Sequence, residues 1–167
     1  MAELFVTNFN RNFTGVSATA ANVIRQQSKH HDLRLVGYPL PGCPDPITLK
    51  QARLLSKRPP QGRDFAIWHV RRNPEMRAAI WSRDVLKLPI RIVFTSAAQR
   101  LHSSYPRWLI RQMDAIAATT DIAARYVTKV RAVVPHGVDT DLFTPAQDRA
   151  AAWSALGYGG DMGLATI

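Results

Sequence analysis

Cysteine is nearly absent from this 167-residue sequence. Cys43 stands alone, so an internal disulfide and a thiolate metal cage are both excluded. The five histidines (30, 31, 69, 102 and 136) form no HExxH pair, so no metal site is expected. There is no Walker-type GxxxxGK[ST], no GxSxG and no GxGxxG. No run reaches the roughly 18 apolar residues a membrane helix needs. The start, Met1-Ala2-Glu3-Leu4-Phe5, lacks the basic opening and long apolar stretch of a signal peptide, which predicts a cytoplasmic protein. Asn12-Phe13-Thr14 matches a glycosylation sequon, read as chance in that setting. The second predicted strand ends in Tyr38-Pro39 and not in an acid, which argues against a nicotinamide-binding domain.

Charge is plentiful but unevenly placed. Between Lys50 and Arg111 there are 14 Lys or Arg against three acids, Asp64, Glu75 and Asp84. The remainder holds eight basic and nine acidic residues, so the middle third carries +11 and the rest −1. Such a field favours an anionic partner. Nucleic acid, anionic lipid and a phosphorylated glycolipid all qualify, and a plain solvated surface is the alternative.

Apolar and breaker residues alternate in a regular way. Strands are predicted at Leu4–Thr7, Leu33–Tyr38, Phe65–Val70, Ile90–Thr95, Ala115–Ala118 and Arg131–Val134. Between them, Val16, Ala20, Val23 and Ile24 share one helix face, and Asp45-Pro46 opens a basic helix reaching about Lys57. Asn73-Pro74-Glu75 starts a helix to about Leu88, with the acid near the positive end of the dipole. Pro106 opens a helix to Met113, and Asp121 to Val127 forms a short one. After the loop from Pro135 to Pro145, Asp148 to Leu156 reads as helix, Gly157-Tyr158-Gly159-Gly160 as a turn, and Leu164 to Ile167 as the start of a strand. The alternation predicts an α/β fold, a Rossmann-like parallel sheet with helices on both faces. Ligands of such sheets sit at the strands' carboxyl ends.

Four loops are therefore of interest. Gly15, after the first strand, would let backbone amides approach an anion or sugar hydroxyl; a tight turn is the simpler reading. His69, Arg71, Arg72 and Asn73 cluster after the third strand, where guanidiniums suit carboxylates and phosphates. A buried histidine and a solvated turn are the alternatives. Ser96 to Arg100 places hydroxyl, amide and guanidinium groups after the fourth strand, or else merely caps a helix. The fourth segment is Val134-Pro135-His136-Gly137-Val138-Asp139-Thr140-Asp141-Leu142-Phe143-Thr144-Pro145, whose spacing is too particular for a linker.

That segment resembles the one closing the N-terminal domain of family 4 glycosyltransferases, (I/V)PNGVDTxxFxP, with His136 in place of the usual Asn. The stretches Trp68–Met76, Arg91–Arg100 and Leu109–Thr119 look like the rhizobial-type lipopolysaccharide core mannosyltransferases. The resemblance implies a GT-B enzyme of two Rossmann-like domains, retaining and usually metal-free. The N-terminal domain would be residues 1–145, and 146–167 would be a linker and the start of the donor domain. It implies GDP-mannose as donor substrate, with no tightly bound cofactor. The implied acceptor is the anionic Kdo-containing core on lipid A at the inner face of the inner membrane, with no nucleic acid. Gly15, Arg71, Arg72, Asn73 and Arg100 would bind the acceptor. Ser96 falls where many relatives place a catalytic histidine, so His69 and Ser96 are the catalytic candidates. His136, Gly137 and Asp139 would sit between domains. The 167-residue piece alone is expected to be inactive, with an open cleft face through which copies could associate.

Overall fold

The computed structural model describes residues 2–140 and 143–157. Two compact units emerge, one ending at Gly137 and one beginning at Val138.

The first unit is built on six parallel strands: β1 (Leu4–Asn8), β2 (Leu33–Gly37), β3 (Ala66–Val70), β4 (Ile90–Ser96), β5 (Ala115–Ala118) and β6 (Val130–Val133). Their order is β2-β1-β3-β4-β5-β6. β1 pairs with β2 (Leu4 opposite Leu33) and with β3 (Leu4 opposite Ile67). The helices are α1 (Gly15–Gln27), α2 (Leu49–Leu55), α3 (Asn73–Ile80), α4 (Ser104–Arg111) and α5 (Asp121–Arg125). The parallel α/β class expected from the alternation is the one observed.

Strand alternation divides the core. Phe5, Trp68, Val70, Ile92, Phe94 and Ile116 face one side, under Ala52 of α2, Met76 and Ala79 of α3, and Leu109 and Ile110 of α4. Leu4, Val6, Leu33 and Leu35 face the other, under Ala20, Ala21 and Ile24 of α1. Trp68 is fully buried, and its indole N–H donates to Ser56 Oγ (3.0 Å), as a buried indole requires.

Several boundaries differ from expectation. Helix α2 begins at Leu49, because Thr48 is its cap: its hydroxyl accepts from Gln51 N, while the Gln51 amide accepts from Thr48 N. Asp45-Pro46 therefore precede the helix, and Gly37 N and Ile47 N bond across to Ile47 O and Leu35 O. Lys57 and Arg58 lie beyond its end. Helix α3 does not run on regularly to Leu88 but passes into a π-helical turn, Trp81–Val85. There Leu86 N reaches back to Trp81 O, five residues earlier. Lys87, in the left-handed region (φ 54), ends it. Helix α4 starts at Ser104, two residues before Pro106.

In the second unit, α6 (Arg149–Ala155) is capped by Asp148, whose carboxylate accepts from Ala151 N. The expected turn beyond Gly157, the strand from Leu164, and Asp141-Leu142 of the motif lie outside the described residues.

Candidate functional site

Helices α1 and α3 leave β1 and β3 toward opposite faces of the sheet, so the order of connection across the sheet reverses between these two neighbouring strands. At such a switch point a crevice opens at the carboxyl ends. Its walls are the loop after Asn8 and the turn Arg71–Asn73.

The two walls are tied together by Glu75. Its side chain is fully buried and accepts from Thr7 Oγ1 (3.0 Å), Phe9 N (3.1 Å), Arg71 N (2.8 Å) and Arg72 N (3.2 Å). Arg72 completes the knot. Its Nη1 donates to Glu75 Oε1 (3.2 Å) and Asn8 Oδ1 (3.1 Å), and its Nη2 to Thr14 Oγ1 (3.1 Å) and Ser17 Oγ (3.0 Å). Four of its five N–H groups are thus spent inside the protein. Arg72 holds the first loop against the β3–α3 turn, which leaves it little capacity for a ligand.

Arg71 is placed quite differently. Its Nε and Nη1 are buried, and nothing among the described residues accepts from them. Burial and the neighbouring Arg72 lower its pKa to about 10, against the pull of Glu75, so the group stays cationic at neutral pH. His69, two residues earlier, is half-buried and its Nε2 lies 2.7 Å from Thr95 Oγ1 on the adjacent strand. Burial first, and the Arg71 charge second, hold its pKa well below the usual histidine value, so the imidazole is neutral. Ser96, the last residue of β4, is buried with its hydroxyl unpartnered among the described residues.

The other candidates spread out. Asn73 opens α3, where the free N–H groups of a first turn gather. Gly15 opens α1, is exposed, and an added Cβ there would meet nothing within 4 Å, so the fold itself does not demand glycine. Gly37 is where it does: its φ is +110, and a Cβ would fall 2.4 Å from the Asn8 carbonyl oxygen. Arg100 is exposed in the bend after β4. His136 and Gly137 are exposed at the end of the first unit, and Asp139 belongs to the second, where its carbonyl accepts from Phe143 N (2.8 Å). No group of three or more His, Cys, Asp or Glu among the described residues could hold a metal. Glu75 was read from sequence only as a helix-dipole acid. Its clustering role has no sequence signal, because its partners lie up to 68 residues away.

Two curated proteins share 38% identity with this chain. One is the lipopolysaccharide core biosynthesis mannosyltransferase LpsB of Rhizobium meliloti (strain 1021), matched over 93% of the chain. The other is the lipopolysaccharide core biosynthesis mannosyltransferase LpcC of Rhizobium leguminosarum bv. viciae, matched over 95%. The chain is a relative of the rhizobial lipopolysaccharide core mannosyltransferases. It spans 44% and 45% of the length of these two proteins. No family model matches it. Among solved structures, Anabaena Alr3699/HepE in complex with UDP superposes with a TM-score of 0.66 at 9% identity, covering 94% of this chain and 50% of that one. UDP-N-acetylglucosamine 2-epimerase from Rickettsia bellii superposes at 0.50, with 14% identity, covering 75% of this chain and 41% of that one. At such identities the likeness concerns the fold, and it is the fold expected.

Proposed function

We propose that this relative of the core mannosyltransferases supplies the acceptor-binding half of a retaining glycosyltransferase, which moves mannose from GDP-mannose to the Kdo-bearing inner core of lipopolysaccharide. The observation that carries the reading is the 38% identity to two such enzymes over nearly the whole chain, of which it spans less than half. Residues 1–145 form the acceptor domain, and 146–167 lead toward a donor domain that holds most of the GDP-mannose site. The reaction needs donor and acceptor held within bonding reach, so both domains must contribute. His69 and Ser96 lie nearest the reacting sugar. Gly15, Arg71, Asn73 and Arg100 contact the acceptor, Arg72 braces the loop beside them, and His136, Gly137 and Asp139 serve the junction.

The acceptor would be met at the anionic cytoplasmic face of the inner membrane. No helix of the described residues is long and apolar enough to cross a membrane. Trp81 and Trp108 are each 53% exposed. Exposed basic residues Arg77, Lys87 and Arg111 lie on the same two helical segments or just beyond. The open cleft face also offers a surface for self-association.

The test uses the 167-residue chain itself. It should bind a Kdo-bearing glycolipid saturably, bind GDP-mannose only weakly by calorimetry, and transfer no mannose. Turnover above background or micromolar GDP-mannose affinity would overturn the division of labour. Steeply salt-dependent binding to generic DNA, with no response to glycolipid, would favour a nucleic-acid module instead.

A further inference from the structure

We propose that Arg71 is a binding site for a single carboxylate of an acidic sugar, framed but not neutralised by the Glu75–Arg72 pair. This rests on the acceptor reading above and adds the group that is recognised and the residue that recognises it.

Three observations converge. Arg71 Nε and Nη1 are buried, and nothing among the described residues accepts from them. Buried N–H donors are ordinarily paired, and buried charges more so. The acid beside it cannot serve, because Glu75 already accepts from three backbone N–H groups, the Thr7 hydroxyl and Arg72 Nη1. The turn therefore holds two guanidiniums against one carboxylate, an excess of one positive charge. Finally, the group lies at the switch point of the sheet, directly before the first turn of α3, where helix N–H groups also favour an anion. As a whole residue Arg71 is partly exposed.

Charge matching selects the class of anion. A planar monoanion cancels the excess and suits a guanidinium. A nucleoside diphosphate, with more negative charge, would leave the turn net negative. The neutral His69 beside it adds no further charge.

The experiment compares the wild-type 167-residue chain with Arg71→Met and, as a control on exposed helix α5, Arg125→Met. Each is titrated with free Kdo, Kdo reduced at its carboxyl to the alcohol, inorganic phosphate and GDP, following the arginine Nε–H resonances by NMR. Kdo should bind saturably and shift the resonance that Arg71→Met deletes, and the reduced sugar should not. Arg71→Met should weaken Kdo binding at least tenfold, and Arg125→Met should leave it unchanged. Because the substitution removes an uncompensated buried charge, Arg71→Met should also melt higher than wild type. A lower melting temperature would make Arg71 a structural residue and overturn the site. So would equal Kdo affinity in wild type and Arg71→Met. Tighter binding of phosphate or GDP at the same resonance would assign the site to a donor. If glycolipid binding survives Arg71→Met, the acceptor reading stands without this residue. If Kdo shifts Arg71 but no glycolipid binds, the carboxylate site stands and the acceptor reading falls.

Discussion

Glu75 and the two arginines before it show how adjacent residues of similar composition come to different ends. Arg72 is consumed by Asn8, Thr14, Ser17 and Glu75, whereas the buried N–H groups of Arg71 find no acceptor among the described residues. In sequence the two are equivalent, and both read as acceptor contacts. What separates them is tertiary: the Arg72 guanidinium meets Asn8 at the end of β1 and Thr14 and Ser17 beyond it, groups far away in the sequence. Replacing Glu75 by Ala should be among the most damaging single changes in the chain. It would leave three backbone N–H groups and the Arg72 charge without their carboxylate, and the Thr7 hydroxyl with only the His69 carbonyl. Breaking one partner of a buried charged network typically costs about 3–5 kcal/mol. A fall of that size in unfolding free energy, from the denaturant midpoint, is expected for Glu75→Ala. A loss below about 1 kcal/mol would mean that the knot does not hold the two loops.

At the scale of elements, pattern located each of the six observed strands within a residue or two, while the start of α2 went astray. Asp45-Pro46 read as the opening, but the helix starts after Thr48, whose capping box with Gln51 the pattern did not single out. The helix cannot start earlier because Ile47 is drawn into bonding with β2. Thr48→Ala should therefore lower stability by about 1 kcal/mol. Asp45→Ala, at an exposed position ahead of the helix, should stay within about 0.5 kcal/mol of wild type. Thermal melts of the two variants check this, and the reverse order would restore the Asp45 cap. The end of α3 was less legible. The π-helical turn depends on Ser82, whose hydroxyl donates to Ala78 O (2.7 Å) and accepts from Arg53 Nε of α2 (3.0 Å). Arg83 also ties this turn to Gln112 O and Asp114 (both 2.8 Å). Arg53, Gln112 and Asp114 are 29 to 31 residues away from these groups, beyond the reach of any local period. One consequence is that Arg53 is turned toward the π-helical turn.

For the first unit as a whole, the strand order decides where chemistry can occur. Nothing in the six apolar runs says that β1 lies between β2 and β3, yet that order puts the loop after Asn8 against Arg71–Asn73. The same packing leaves Trp81 and Trp108 at the surface, with Tyr105 stacked on Trp108 (6.3 Å between ring centroids). Amphipathic indoles beside exposed arginines and lysines suit the headgroup level of an anionic bilayer. The chain should bind vesicles containing anionic phospholipid and largely ignore neutral ones. Raising salt to about 1 M, where the Debye length shrinks to about 3 Å, should release it. A Trp81→Ala, Trp108→Ala pair should weaken the binding. Co-sedimentation measures all three, and equal affinity for neutral and anionic vesicles would rule out the charge mechanism.

The sequence by itself determined the α/β class, the position of the six observed strands, the basic middle third and the mannosyltransferase resemblance. All of these depend on local periodicity, turn residues and short contiguous motifs. The tertiary structure alone decided that Arg71 and Arg72 part company, that Glu75 joins two loops, that Ser96 is buried and that two tryptophans are not. Those outcomes depend on which strands are neighbours and which face each side chain takes. Burial and hydrogen-bond satisfaction are set by groups tens of residues apart, and such pairings leave no trace in a local pattern.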